Sequence, residues 1–337
     1  MLNNLPIDLS ILIINFLQLN NIINLRLINK ETKKLTKFYS PDYNIKINKS
    51  LKLSIGLFPN IKSINIRNNR NITDDDFKYL SKIENLNMEG CYQKEINDLS
   101  FKNLLNIKEL NIFCCNNFTD LALNFLTNLE TLYIDDNHNI TDNGIKKLKN
   151  LKELYLYNCS KITSDGLSSL VNITMIALYM MNINNFSNLN IIDGLSMIDC
   201  SIISNNFFVN LIKLKRLKLV NVKNLRCNYF DKLNIEELYL SDLDIIDNDL
   251  KYLKNIKVLY LSYLKINGEG LQYLTNIEEL EIRDCLIWGK NLNYLYNLKK
   301  LKKVTIFGSN TISDIKINQI KEILGDKLIY YKYNHYY

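Results

Sequence analysis

The side chains here that could ligate a transition metal or attack a carbonyl carbon are seven cysteines, at positions 91, 114, 115, 159, 200, 227 and 285, and two histidines, His138 and His335. A zinc site needs several such ligands converging on one point, usually from paired Cys-x-x-Cys spacings. No such pair occurs in this sequence. Nucleophilic catalysis needs a base held beside a Cys or Ser. His138 follows Asn137 in a turn and His335 stands in the tail, and neither belongs to a recognisable triad frame. Gly268-Glu269-Gly270 lacks the remainder of a phosphate-binding loop. The sequence therefore predicts no metal, no cofactor and no active site of its own.

What five of the cysteines share is phase. A frame of the form L-x-x-L-x-L, with Ile, Val or Met allowed, opens at Ile61, Ile83, Ile107, Leu129, Leu151, Ile173, Ile192, Leu214, Ile235, Ile256, Ile277 and Leu301. The successive spacings are 22, 24, 22, 22, 22, 19, 22, 21, 21, 21 and 24. Counting the opening residue as position 0, position 8 holds Asn69, Cys91, Cys115, Asn137, Cys159, Cys200 and Cys285. In Leu151-Lys152-Glu153-Leu154-Tyr155-Leu156, apolar residues alternate with polar ones, the pattern of a strand with one buried face. Three residues beyond position 8 a cap recurs, as in Ile72-Thr73-Asp74, Phe118-Thr119-Asp120, Ile140-Thr141-Asp142, Ile162-Thr163 and Ile312-Ser313-Asp314. A hydroxyl before an acid caps a helix N-terminus and meets its positive dipole end. Short helices are thus expected, ending near Leu80, Leu126, Leu148, Leu170, Leu253 and Leu274.

This pattern resembles the cysteine-containing class of leucine-rich repeats over Ile61 to about Ile320. The resemblance implies an α/β fold, a leucine-rich repeat solenoid with a parallel concave sheet and short convex helices. Departures occur where Met181, Val222, Leu243 and Leu264 stand at position 8, and the 19-residue unit leaves little room for a helix. The expected organisation is a helical segment over 1–45, a connector over 46–60, about 12 repeats over 61–324 and a C-terminal cap or tail over 325–337. In that last part Leu328, Tyr331 and Tyr333 repeat the frame.

The residues before the array follow another pattern. Leu5, Pro6, Asp8, Leu9, Ile13, Phe16 and Leu17, then Leu25, Arg26, Ile28, Asn29 and Lys30, form short amphipathic runs. They resemble an F-box, although Thr32 and Lys33 stand where that family has an aromatic residue. An F-box before cysteine-type repeats implies a substrate-recognition subunit of an SCF-type cullin-RING ubiquitin ligase. Its F-box would dock a Skp-type adaptor through Leu5, Pro6, Leu9, Ile13, Phe16, Leu17, Leu25 and Ile28, and its repeats would hold a substrate protein. The alternative is a non-ligase binding scaffold whose helical N-terminus only caps the first repeat.

Composition narrows the partners. The net charge is +7, and residues 1–57 carry eight Lys or Arg against three acids, leaving the rest nearly balanced. A nucleic-acid partner is not expected from that distribution. The apolar stretch Leu9 to Leu17 is too short to span a bilayer and lacks the flanks of a signal peptide. Unpaired thiols in a reducing, intracellular compartment, cytoplasmic or nuclear, are the expectation. The abundance of Asn, Ile, Lys and Tyr has the character of AT-rich coding drift, which discounts surface asparagines and lysines as signals. Strand positions facing away from the core then carry recognition. Positions 4 and 6 hold Phe113, Tyr133, Tyr155, Tyr157 and Tyr179, then Tyr239 and Tyr260, with Tyr263 next in sequence. Tyrosine favours strands in any case, but it also offers large contact area at low entropic cost, so these are the candidate substrate-binding residues.

Overall fold

The computed structural model describes residues 45–46, 51, 55, 61–183, 189–202, 207–225, 227–307 and 312–332. The F-box-like positions Leu5 to Lys30 lie outside the described residues. The chain divides into two compact units, Met1–Asn172 and Ile173–Tyr337.

In the first unit, β1 (Ile45–Lys46), β2 (Ser63–Asn65), β3 (Asn85–Asn87), β4 (Glu109–Ile112), β5 (Thr131–Asp135) and β6 (Glu153–Tyr157) pair side by side, all parallel. The register puts Ile64, Leu86, Leu110, Leu132 and Leu154 abreast, each at frame position 3 and each at most 2% exposed. Repeats of 22 and 24 residues therefore return the chain to the same phase, and the excess length is absorbed on the far side of the sheet.

On that far side α1 (Asp120–Leu123), α2 (Asp142–Ile145) and α3 (Ser164–Leu167) are single turns. Their caps Thr119, Thr141 and Thr163 accept hydrogen bonds from Leu121 N, Asn143 N and Asp165 N at 3.2, 3.1 and 3.2 Å. The corresponding stretches Asp74–Tyr79 and Asp98–Asn103 are tighter 3₁₀ turns. Phe77, Phe101 and Phe118 stack beneath them, with centroids 6.2 and then 4.4 Å apart, so successive repeats share one apolar core.

In the second unit the strands are β7 (Met175–Tyr179), β8 (Asn182–Ile183), β9 (Gly194–Ile198), β10 (Ser201–Ile202), β11 (Arg216–Val220), β12 (Glu237–Ser241), β13 (Val258–Ser262), β14 (Glu279–Arg283), β15 (Lys303–Phe307) and β16 (Leu328–Tyr331). All but β8 and β10 join one parallel sheet in chain order. β8 and β10 pair with each other just past the 19-residue unit's main strand. The far side is mostly 3₁₀, over Cys227–Lys232, Asp247–Leu253, Glu269–Tyr273 and Gly289–Asn297. The first three of these lie in 21-residue repeats, which suit such turns because 3₁₀ rises further per residue than α. The 11-residue α4 (Asp314–Leu324) precedes β16. Among the described residues no helix is long and apolar enough to cross a membrane.

Candidate protein-binding face

Many of the described polar residues form ladders that join one repeat to the next. At position 7 the backbone turns left-handed: Asn68, Gly90, Cys114, Asp136 and Asn158 in the first unit, and Met180, Asp199, Asn221, Asp242, Tyr263 and Asp284 in the second, have φ between 47° and 72°. Asn, Asp and Gly adopt that conformation at least cost. At position 8 the side chain points inward. Asn137 is fully buried; its Nδ2 donates to Cys115 O at 3.3 Å and Phe118 O at 3.1 Å, and its Oδ1 accepts from Asn139 N and Ile140 N at 2.8 Å each. The cysteines at this position donate to carbonyls of the preceding repeat, as Cys91 does to Ile66 O at 3.2 Å and Cys115 to Met88 O at 3.2 Å. Burial pushes the Cys115 thiol up to about 12 and those of Cys159 and Cys285 up to about 11. They are structural donors, poorly suited to form thiolates.

Some of the asparagines and lysines discounted as compositional drift have places in this scheme, which corrects that expectation for them. Asn106, Asn128, Asn150 and Asn172, each just before a frame start, donate through Nδ2 to Ser81 O, Leu105 O, Thr127 O and Lys149 O at 2.7, 3.1, 2.8 and 2.8 Å. Position 1 carries alternating charge from strand to strand: Lys62, Glu84, Lys108, Glu130 and Lys152. Glu84 is held by Lys62 at 2.8 Å and Lys108 at 2.7 Å, and Lys152 reaches Glu130 at 2.6 Å. In the second unit Glu236 pairs with Lys257 at 3.2 Å, and Lys302 with Glu278 at 2.6 Å. Opposite charges abreast on neighbouring strands favour the native register.

Three solvent-facing rows remain, at positions 2, 4 and 6. In the first unit Tyr133 and Tyr155 lie opposite each other with rings stacked at 4.4 Å and 13°. Phe113 meets Tyr133 edge-on at 6.3 Å. Asp135 pairs with Tyr157 in the β5 and β6 register, and Tyr157 is 38% exposed. The structure thus brings Phe113, Tyr133, Tyr155 and Tyr157 onto one face, with Tyr133 and Tyr155 half-buried against each other. Carboxylates share that face. Tyr155 donates to Glu153 Oε2 at 3.0 Å, and burial together with the Glu153 charge raises the Glu109 carboxyl above the usual range. No ion pair among the described residues reaches Glu109, Glu153 or Asp135, in contrast to the position 1 row.

The second unit differs. Tyr239 and Tyr260 face each other with centroids 6.0 Å apart, but Lys218 Nζ already sits 5.0 Å from the Tyr239 ring, and Arg283 lies over Phe307 at 4.0 Å. Tyr179 is half-buried at the end of β7. Tyr263, grouped with the strand-face tyrosines from the sequence, occupies the left-handed turn at φ 51° and is 60% exposed. It lines a polar recess of about 610 Å³ with Asp242, Asp244 and Lys265, a different surface from Tyr239 and Tyr260.

One arrangement that sequence spacing did not reveal joins His138 to Asp136 of its own turn and to Ser160 of the next repeat. Its Nδ1 is 3.3 Å from Ser160 Oγ and its Nε2 3.4 Å from Asp136 Oδ1. The order mimics a catalytic relay, yet His138 and Asp136 are 51% and 54% exposed in their side chains, and Asn158 shares Asp136 at 2.7 Å. A relay depends on a buried, fixed acid, so this contact orders a turn.

No family model matches the chain, and no curated protein is similar to it in sequence. Solved structures do match its fold. It is similar to an internalin of Listeria monocytogenes at 17% identity and TM-score 0.63, covering 94% of this chain and 95% of that one. A leucine-rich repeat protein of Leptospira interrogans matches at 16% and 0.57, covering 90% and 86%. A chain of the mouse RP105/MD-1 complex matches at 16% and 0.60, covering 85% of this chain and 57% of that one. With the register and ladders above, these likenesses define the fold as a leucine-rich repeat solenoid.

Proposed function

We propose that the chain is a binding protein without catalysis of its own, which holds a partner protein on the solvent side of β4 to β6. The observation that carries this reading is the stacked Tyr133 and Tyr155 pair, flanked by Phe113 and Tyr157, on a face where no ion pair among the described residues reaches Glu109, Glu153 or Asp135. Such aromatic area gives binding energy at small entropic cost, and residues in these rows are spared from the core and the ladders. Among the described residues Cys91, Cys115, Cys159 and Cys285 are buried as structural donors and His138 is solvent-exposed, which favours a reading in which chemistry is left to a partner.

Within that reading the chain acts as the substrate-recognition subunit of an SCF-type ligase. Support comes from the F-box-like series Leu5, Pro6, Leu9, Ile13, Phe16, Leu17, Leu25 and Ile28 ahead of the repeats. The test is size-exclusion chromatography of the whole chain with a purified Skp-type adaptor. Co-elution that Leu5→Ala/Pro6→Ala abolishes, with the melting temperature unchanged, supports the ligase role. Failure to co-elute, or an equal loss of thermal stability in the variant, leaves a scaffold whose N-terminus caps the array.

A further inference from the structure

We infer that the face of β4 to β6 takes an extended segment bearing two basic side chains on either side of an apolar one, in the order basic-x-apolar-x-basic. This rests on the binding reading above and names the chemistry of its partner.

The β-ladder register lays out a grid. Glu109, Thr131 and Glu153 stand abreast at position 2, and Asn111, Tyr133 and Tyr155 at position 4. Position 6 holds Phe113, Asp135 and Tyr157, with Asp135 opposite Tyr157 and Phe113 following the Ile112 and Ile134 pair. Neighbouring strands lie about 4.8 Å apart, so the backbones of Phe113 and Tyr157 are separated by roughly 10 Å. That gap admits one planar guanidinium or an ammonium between two aromatic side chains, where cation and ring attract. Asp135 lies at its floor. Its Oδ2 accepts from the Cys114 thiol at 3.2 Å, while Oδ1 is buried with no hydrogen-bond partner. A buried acceptor left unmatched is costly, and a charged donor from outside would satisfy it.

Four residues along the strands, about 13 Å away, Glu109 and Glu153 flank Thr131. Burial and then the Glu153 charge raise the Glu109 carboxyl, and a cation between the two acids offsets that charge. Every carboxylate of the position 1 row in this unit, by contrast, is matched by a lysine. The tyrosine stack lies between the two acidic places and suits an apolar side chain. In an extended segment residues i, i+2 and i+4 point the same way with the same spacing as the strand rows. Phosphates would meet three carboxylates here, so a nucleic acid does not fit this face.

The experiment is random-peptide display on the whole chain, followed by fluorescence anisotropy with the enriched synthetic peptide. Enrichment of basic-x-apolar-x-basic is expected, with affinity falling at least tenfold in Asp135→Asn and in Glu109→Gln/Glu153→Gln. Replacing either basic residue of the peptide by Gln should remove the sensitivity to one of those variants and leave the other. Enrichment of no sequence, enrichment without paired basic residues, or affinities within twofold in both charge variants overturns the inference. Peptides that lack basic pairs but lose binding in Tyr155→Ala would sink this inference and leave the broader binding reading standing. Peptides indifferent to Tyr155→Ala would sink the broader reading itself.

Discussion

Asp120 accepts two hydrogen bonds from the cap of the following repeat, from Thr141 N at 2.7 Å and from Thr141 Oγ1 at 2.7 Å. The same contact recurs between Asp98 and Thr119 at 2.8 and 2.6 Å, and between Asp142 and Thr163 at 2.7 and 2.8 Å. Each acid thus starts its own helical turn and ties down the next one. For two of these contacts a glycine makes room, since a Cβ at Gly144 would collide with the Asp120 carboxylate and one at Gly166 with that of Asp142; the equivalent residue beyond Asp98 is Ala122.

Breaking this contact from either side should destabilise the first unit. Asp120→Ala leaves a backbone N–H without its partner, and Gly144→Ala displaces the acid; each should cost about 1–3 kcal/mol. Because both act on one contact, the double variant should lose less than the sum. Urea unfolding of the four proteins measures this, and strict additivity would disprove the coupling.

The charge row makes a pH prediction. Hydrogen bonds from Lys108 and then Lys62 hold the Glu84 carboxyl down to about 2. A carboxyl depressed on folding adds stability that is fully present above its unfolded value, about 4.3, and is lost as pH falls towards 2. Exposure of the partners to solvent limits the effect to about 1 kcal/mol. Glu84→Gln should therefore lower stability at pH 7 and make little difference near pH 2, and high salt should shrink the gap. An equal penalty at both pH values would show that packing, not charge, is responsible.

The repeat frame was legible because its buried positions 0, 3 and 5 use the same apolar chemistry twelve times, and because Cys and Asn recur at position 8. The left-handed position 7 is less so: Asn68, Asp136 and Asn158 signal it, but Cys114, Met180 and Tyr263 hide it, so that Tyr263 reads in sequence like a strand tyrosine. The asparagine and charge ladders escaped notice for a different reason. Their alternation of Lys and Glu exists only between strands, so it emerges once repeats are laid side by side. The candidate face itself could be read from positions 4 and 6. That Lys218 reaches the Tyr239 ring across strands could not, since that contact exists only once the repeats are stacked.

Thiol labelling checks both register and site. Cys91, Cys115, Cys159 and Cys285 are buried and Cys114 is exposed, so under native conditions Cys114 should react first and these four only on unfolding. The Asp135 carboxylate raises the Cys114 thiol, and a neutral neighbour relieves that. Asp135→Asn should accordingly speed Cys114 labelling near pH 8. Unchanged labelling would mean that the two side chains do not touch.

Binding through the position 2 carboxylates also has a pH signature. With Glu109 raised by burial and by Glu153, a cationic partner favours the deprotonated carboxyl, so affinity should fall as pH drops through the carboxylate range. Glu109→Gln should flatten that profile. A profile that keeps its slope in the variant would place the titrating group elsewhere.

If Tyr155 and Tyr157 present a recognition surface to a partner protein, the affinity of a partner, identified by proximity labelling with the whole chain, should depend on them and is to be measured for the Tyr155→Ala/Tyr157→Ala protein. A loss of about 1–3 kcal/mol for each tyrosine is expected, with the melting temperature held and any adaptor binding through the N-terminal segment unchanged. A partner that binds the double variant as tightly as the parent would contradict it.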